Sequence, residues 1–254
     1  MSEEQKQKFA SEVVDLPSGG KIYGKDSPLY DGKIEIKYMT AKEEDILTSQ
    51  NLIKKGVVIE RLLDSLIVTD GVKSEDLLLG DKNAVLVAAR ILAYGPDYVT
   101  EITDPTSGDN MQHKFNLADC PFKKIPEDVD TGSGNEFEIL LPVSKLKVKF
   151  KVLTGKDENA IALETKKLEK LNPAGANITT RLRYAIVSVD GKDDRGFVNT
   201  FIENMLSKDS FSLREEIARV SPDIDMKQDI ELGGELVTVD IPMTVDFFWP
   251  KTRA

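Results

Sequence analysis

The sequence predicts an α+β fold made of two internally duplicated repeats, each a strand, several helices and a β-hairpin, packed as one particle. Three observations predict it. Residues 61–71 read RLLDSLIVTDG and residues 181–191 read RLRYAIVSVDG, two amphipathic segments that close on Asp-Gly. The flanking landmarks recur in order: Leu16-Pro17 answers Leu141-Pro142, Thr40 and Glu43 answer Thr154 and Asp157, Asp81 answers Asp209, and Pro96, Gly108 and Phe122 answer Pro222, Gly234 and Phe248. The shift changes only between elements, where loops tolerate insertions. Alternation of apolar and polar residues in KIEIKYMT and KLKVKFKVLT marks a half-buried strand at the start of each repeat. The alternative is two unrelated amphipathic helices.

The first repeat spans 1–125, with an N-terminal arm and an insertion at 18–32. A linker rich in Pro, Gly and acidic residues follows at 126–136, and the second repeat spans 137–254. Thr40 with Glu43, and Thr154 with Asp157, have the spacing of a capping box at a helix start. Helices over 61–68 and 181–188 are expected to stop at Asp-Gly, where glycine tolerates positive φ. Asp81 and Asp209 are expected as N-caps of the next helices. Those helices should end before Pro96 and Pro222, because the residue preceding proline is pushed out of the helical region. Residues 98–117 and 224–243 then read as strand, Gly-containing turn, strand. Units of ~100 residues with few aromatics gain core by pairing, so the copies should pack together.

Composition bounds the function. Of 254 residues, 40% are apolar and 31% charged, and the net charge is −10. That balance suits a soluble surface and opposes the Lys/Arg-based grip on phosphate backbones that nucleic-acid binding needs. No stretch has the ~18 apolar residues of a membrane helix, and the polar start predicts no secretory leader. A single cysteine, Cys120, forbids an intrachain disulfide.

No catalytic signature emerges. The sole histidine, His113, lies on an expected strand, and Cys120 precedes Pro121 without a nucleophile context. The short runs SGG at 18–20 and GSG at 132–134 lack the partners of a phosphate-binding loop. DGKDDRG at 190–196 lacks the Asp spacing and terminal Glu of an EF-hand and reads as a solvated connection. Paired carboxylates remain open to a hydrolase reading, since their separation is set in three dimensions.

The phrases LPSGGKIY, KYMTAKEEDILTSQNLIKKGVVIERLLDSLIV, LLLGDKNAVLVAARILAYGPDY and VDFFWP carry a resemblance over nearly the whole chain. It resembles the baseplate hub and hub-assembly family of contractile-tailed, T-even-like bacteriophages. The resemblance implies a non-enzymatic structural component of the tail baseplate hub, partnered by other baseplate and tail proteins, in the virion and in the host cytoplasm during assembly. A transient assembly factor absent from the mature virion is the alternative, and a carboxylate-based hydrolase a remote one. Copy number and oligomeric state are not implied.

Two expectations concern sites. Ile22, Tyr23 and Tyr30 in the insertion, and Trp249 near the C-terminus, are interface candidates, because tyrosine and tryptophan supply contact area with a polar handle. If they dock, Ala at Tyr23, Tyr30 or Trp249 should weaken assembly with little change in thermal midpoint. The other reading has these aromatics covering the protein's own sheet. The resemblance also implies that relatives often carry a Cys-x-x-Cys-Gly knuckle in the hairpin turns, a zinc-binding pattern. Here those positions are Asp104 and Ser107, then Ile230 and Gly233. One Cys and one His cannot complete a thiolate–imidazole set, and Asp104 with His113 would make at most a weak site, so metal-free turns and no cofactor are expected.

Overall fold

The structure is a computed structural model that describes residues 10–103, 108, 110–132, 134–169, 177–232, 235–243 and 245–248. It is an α+β fold of helices and several small antiparallel sheets. The first half opens with the hairpin β1 (Ser11–Asp15) and β2 (Lys33–Lys37), in register from Ser11↔Lys37 to Asp15↔Lys33. Helices α1 (Ala41–Thr48), α2 (Gln50–Lys55), α3 (Val58–Leu66) and α4 (Leu79–Tyr94) follow. A second hairpin joins β3 (Asp97–Thr103) to β4 (Asn110–Asn116), and the short strand β5 (Phe122–Lys123) ends this half.

The second half repeats much of that order. Hairpin β6 (Phe137–Leu140) and β7 (Lys147–Phe150) leads to α5 (Gly155–Glu169) and α6 (Asn177–Ala185). Strand β8 (Ile186–Val189) pairs with β7, and α7 (Arg195–Glu203) and α8 (Ser207–Val220) come next. The chain closes with β9 (Asp223–Ile224), the hairpin β10 (Lys227–Leu232) and β11 (Glu235–Asp240), and a 3-10 turn at Val245–Phe248. Helix α7 stands between β8 and α8, whereas only the 3-10 turn Ser74–Asp76 lies between α3 and α4.

Three expectations need correction. The repeated segments are not helical to positions 68 and 188. Helix α3 stops at Leu66 and Ile67 bridges Ile36, while α6 stops at Ala185 and β8 continues the chain as a strand. Ile186 and Val189 are fully buried against β7, so pairing plus the β-branched Ile186, Val187 and Val189 overrides the helical period. Asp81 and Asp209 are not N-caps either. Each is the third residue of its helix, behind the caps Leu78 and Leu206, and its carboxylate serves a different loop. Each half also opens with two strands rather than one, because SEVVD and FEIL pair with the alternating strands that follow.

The capping residues do act as the sequence implies. Glu43 Oε2 accepts the Thr40 amide at 2.9 Å and the Thr40 hydroxyl at 2.6 Å, and Asp157 Oδ2 accepts the Thr154 amide at 3.0 Å. A lysine completes each set: Lys37 Nζ donates to Glu43 at 2.8 Å and Lys151 Nζ to Asp157 at 2.8 Å.

Core membership does not follow the linker. One cluster gathers Val14, Ile36, Leu62, Leu86, Tyr98 and Phe115 of the first half, and takes in Ile224, Met226, Ile230, Ile241, Phe247 and Phe248 from the end of the chain. The other holds Phe137, Val148, Phe150, Leu182, Ile186, Val198 and Leu213, and takes in Ile22 and Leu78 from the first half. Burying each such large side chain stabilises by roughly 1.5–3 kcal/mol, so this exchange joins the halves more strongly than a polar linker can. The seam is also hydrogen bonded. Gly155 N donates to Leu77 O at 2.8 Å, Asp225 N to Pro121 O at 2.8 Å, and β5 pairs with β9. Within the linker, Asn135 mimics a strand residue: its amide group donates to Val152 O and accepts Val152 N, both at 2.8 Å.

Candidate functional site

Two buried carboxylates organise the turns after the two Leu-Pro pairs. Asp81 Oδ1 accepts the Ser18 amide at 2.9 Å, and Asp81 Oδ2 accepts the Tyr23 hydroxyl at 2.6 Å. Asp209 accepts the Val143 amide at 2.8 Å on one oxygen and the Ser144 amide at 3.0 Å on the other. Both sit in the first turn of a helix, where the positive end of the helix dipole favours an anion. Their titrations nonetheless diverge. Burial pushes the Asp81 carboxyl up, and the nearby Asp223 adds to this despite the bonds from Ser18 and Tyr23. Burial acts the same way on Asp209, but the amides of Val143 and Ser144 outweigh it and hold that carboxyl below its ordinary value.

Glu43 is a third internal carboxylate. Burial alone would raise it, but hydrogen bonds from Lys37, Thr40 and Ser65 outweigh that and hold it at about 2. Arg90 is a buried cation: Nε donates to Phe247 O at 2.9 Å, Nη1 to Gly95 O at 2.9 Å and Nη2 to Asp97 O at 3.1 Å. These groups spend their hydrogen-bonding capacity on backbone, lysine and hydroxyls, as buried charges must. Sequence reasoning missed their roles. The recurrence of Asp81 and Asp209 was the available signal, but nothing in it says which amides they reach.

The interface candidates fall differently. Ile22 is 3% exposed and belongs to the second-half core. Tyr23 packs on both clusters, and its hydroxyl accepts the Leu78 amide at 2.8 Å while donating to Asp81. Ile22 is buried and Tyr23 half-buried, each packed against the chain's own core. The insertion is no free arm either: it folds back on itself so closely that a Cβ on Gly20 would lie 2.2 Å from Gly32 N. Tyr30 is half-buried. Trp249 lies outside the described residues.

Of the hairpin turns, Asp104, Ser107 and Gly233 also lie outside the described residues, while Ile230 is buried in the core. Among the described residues, no group of three His, Cys, Asp or Glu side chains could hold a metal ion. His113 lies edge-on to Phe115 with ring centres 4.6 Å apart, and the Cys120 thiol accepts from Gln228 Nε2 at 3.4 Å. Burial pushes that thiol up, away from the thiolate a nucleophile needs. The DGKDDRG segment supplies the cap of α7, with Asp194 Oδ1 accepting Phe197 N at 2.8 Å.

Exposed large apolar side chains occur on both halves, and the most exposed of them are unevenly placed. Among the described residues, Leu140, Leu163, Ile178, Leu206, Phe211 and Leu236 are the most exposed large apolar side chains after the linker, and only Val13 before it compares. The family model described as T4 bacteriophage base plate protein matches residues 9–249. The chain belongs to that family. Comparison with curated proteins and with solved structures gives no match. As a base plate protein it has the tail baseplate of the virion as its setting and other tail and baseplate proteins as its partners. A surface of exposed aliphatic and aromatic side chains suits that work. Among the described residues no helix is long and apolar enough to cross a membrane.

Proposed function

We propose that this base plate protein is a structural subunit of the hub region, retained in the mature tail and acting through permanent protein contacts. The observation that carries the reading is the set of large apolar side chains that are at least half exposed, most of which lie on the second half, while the first half's core takes in the chain's own end. Permanent subunits bury such surface for good, whereas a helper must shed its partner. The internal carboxylates support a non-enzymatic role, because Asp81, Glu43 and Asp209 are engaged with backbone amides, hydroxyls and lysine. A mass-spectrometric inventory of purified virions tests it. The chain at fixed stoichiometry is the expected result, and its absence from mature particles would replace this reading with the assembly-factor one.

The two halves are read as copies of one duplicated unit. The Leu-Pro turns held by Asp81 and Asp209, and the paired sets Lys37–Glu43 and Lys151–Asp157, support that reading. An experimental structure in which 16–122 and 141–248 failed to superpose, element by element, would end it.

A further inference from the structure

Matched helix faces in the two halves have opposite fates. By the correspondence of Arg61 with Arg181 and of Asp81 with Asp209, Val58 and Leu62 on α3 match Ile178 and Leu182 on α6. Likewise Leu86 and Ala89 on α4 match Arg214 and Ile217 on α8. On the first half this face is closed: Val58 is 4% exposed and Leu86 and Ala89 are buried. They share a core cluster with Phe247 and Phe248, and Arg90 anchors that segment through the Phe247 carbonyl. On the second half the face is open. Ile178 is 50% exposed, and a groove of about 310 Å³ runs between α6 and α8, lined by Leu153, Ile178, Leu182, Ala185 and Ile217.

The rim of this groove is cationic on a chain of net charge −10. Arg214 and Arg181 both line it. Arg181 is paired with Glu158 at 2.5 Å, but Arg214 donates only to its own helix, at Ser210 O, and meets no carboxylate among the described residues. An apolar slot with unneutralised positive charge selects an apolar side chain flanked by a carboxylate. Aromatic anchors in such pockets dominate interface energetics. A groove this size takes a short segment rather than the ~1,200–2,000 Å² of a full subunit interface.

We infer that the α6–α8 groove receives an aromatic segment carrying an adjacent Asp or Glu from another baseplate subunit, as the chain's own Phe247 and Phe248 join the core that holds the matching face. The inference rests on the duplication and deepens the hub-subunit reading by naming the partner's chemistry. Its test is independent of virion inventory, so either can fail alone.

The probe is a fluorescein-labelled peptide with the sequence 240–248, DIPMTVDFF, titrated with the full chain by fluorescence anisotropy. Binding should weaken at least tenfold with Arg214→Glu in the protein, with Ile178→Asp in the protein, or with Asp246→Lys in the peptide. The charge-swapped pair should recover part of the loss. Arg214 is exposed, so Arg214→Glu keeps the thermal midpoint and remains decisive even if Ile178→Asp impairs folding. No binding, or binding indifferent to these changes, overturns the inference. Concentration-dependent dimerisation of the peptide-free chain that Ile178→Asp abolishes would assign the groove to a second copy and overturn it as well.

Discussion

The Tyr23 hydroxyl donates to Asp81 Oδ2 at 2.6 Å and accepts the Leu78 amide at 2.8 Å. Burial and the neighbouring Asp81 both push the Tyr23 hydroxyl far up, so it remains the proton donor throughout the physiological range. Tyr23→Phe keeps the ring but strands a buried carboxylate oxygen and a buried amide. The expected cost is about 2–4 kcal/mol, read as a fall in the urea midpoint with unchanged slope. Tyr23→Ala loses the ring's burial too and should fall further, which reverses the outcome that a purely docking tyrosine would give. A Tyr23→Phe variant as stable as the parent would remove this pair from the account of the fold.

Gly80 should be irreplaceable. A Cβ there would lie 1.9 Å from Pro222 O and 2.6 Å from the Asp223 Cα, both backbone atoms at the seam between the halves. Gly80→Ala must therefore push α4 away from β9 and loosen the pairing of Phe122 with Ile224. A loss of more than about 3 kcal/mol is expected, in line with overpacked cores. Gly71→Ala is the control: φ is +77° with open space around it, so only the left-handed strain of about 1–2 kcal/mol applies. Thermal melts of both variants, with hydrogen exchange at the Asp225 amide, separate the two.

Acid should act through Glu43. Its carboxyl is held at about 2 against an ordinary 4.5, so the unfolded chain binds the proton first. The stabilisation is therefore complete above pH 4.5 and is lost as pH falls through about 2, and it amounts to no more than about 3 kcal/mol. Glu43→Gln should be less stable than the parent at neutral pH, and the gap should narrow across that window. Equal pH slopes for the two proteins would place the acid sensitivity elsewhere.

Zinc should be absent from the hairpin turns. Elemental analysis of the purified chain is expected to give no stoichiometric zinc, and chelator treatment should leave the melting curve where it was. A bound equivalent of zinc with a chelator-sensitive melt would show a ligand set other than the thiolate–imidazole one that the sequence lacks.

The local grammar of this fold was legible before any coordinates. Thr40 with Glu43, and Thr154 with Asp157, marked helix starts because a capping box satisfies backbone groups within four consecutive residues. Pro96 and Pro222 marked helix ends for an equally local steric reason. The period-two strands at 33–37 and 147–150 follow from side chains alternating across a pleat. Membership of the T4 base plate family was legible too, in long phrases of sequence, whereas the hub assignment within it stays a proposal.

Tertiary structure alone decided the rest. Whether 186–189 continues a helix or joins a sheet depended on β7 being available to pair, which no window of sequence contains. Asp81 reached Ser18 and Tyr23, and Arg90 reached Phe247, across separations of 63, 58 and 157 residues. The same long-range packing turned Ile22 and Tyr23 inward and carried Phe247 and Phe248 onto the first half. Short-range sterics and hydrogen bonds are written in neighbouring residues; which apolar face ends up covered is a property of the whole packed chain.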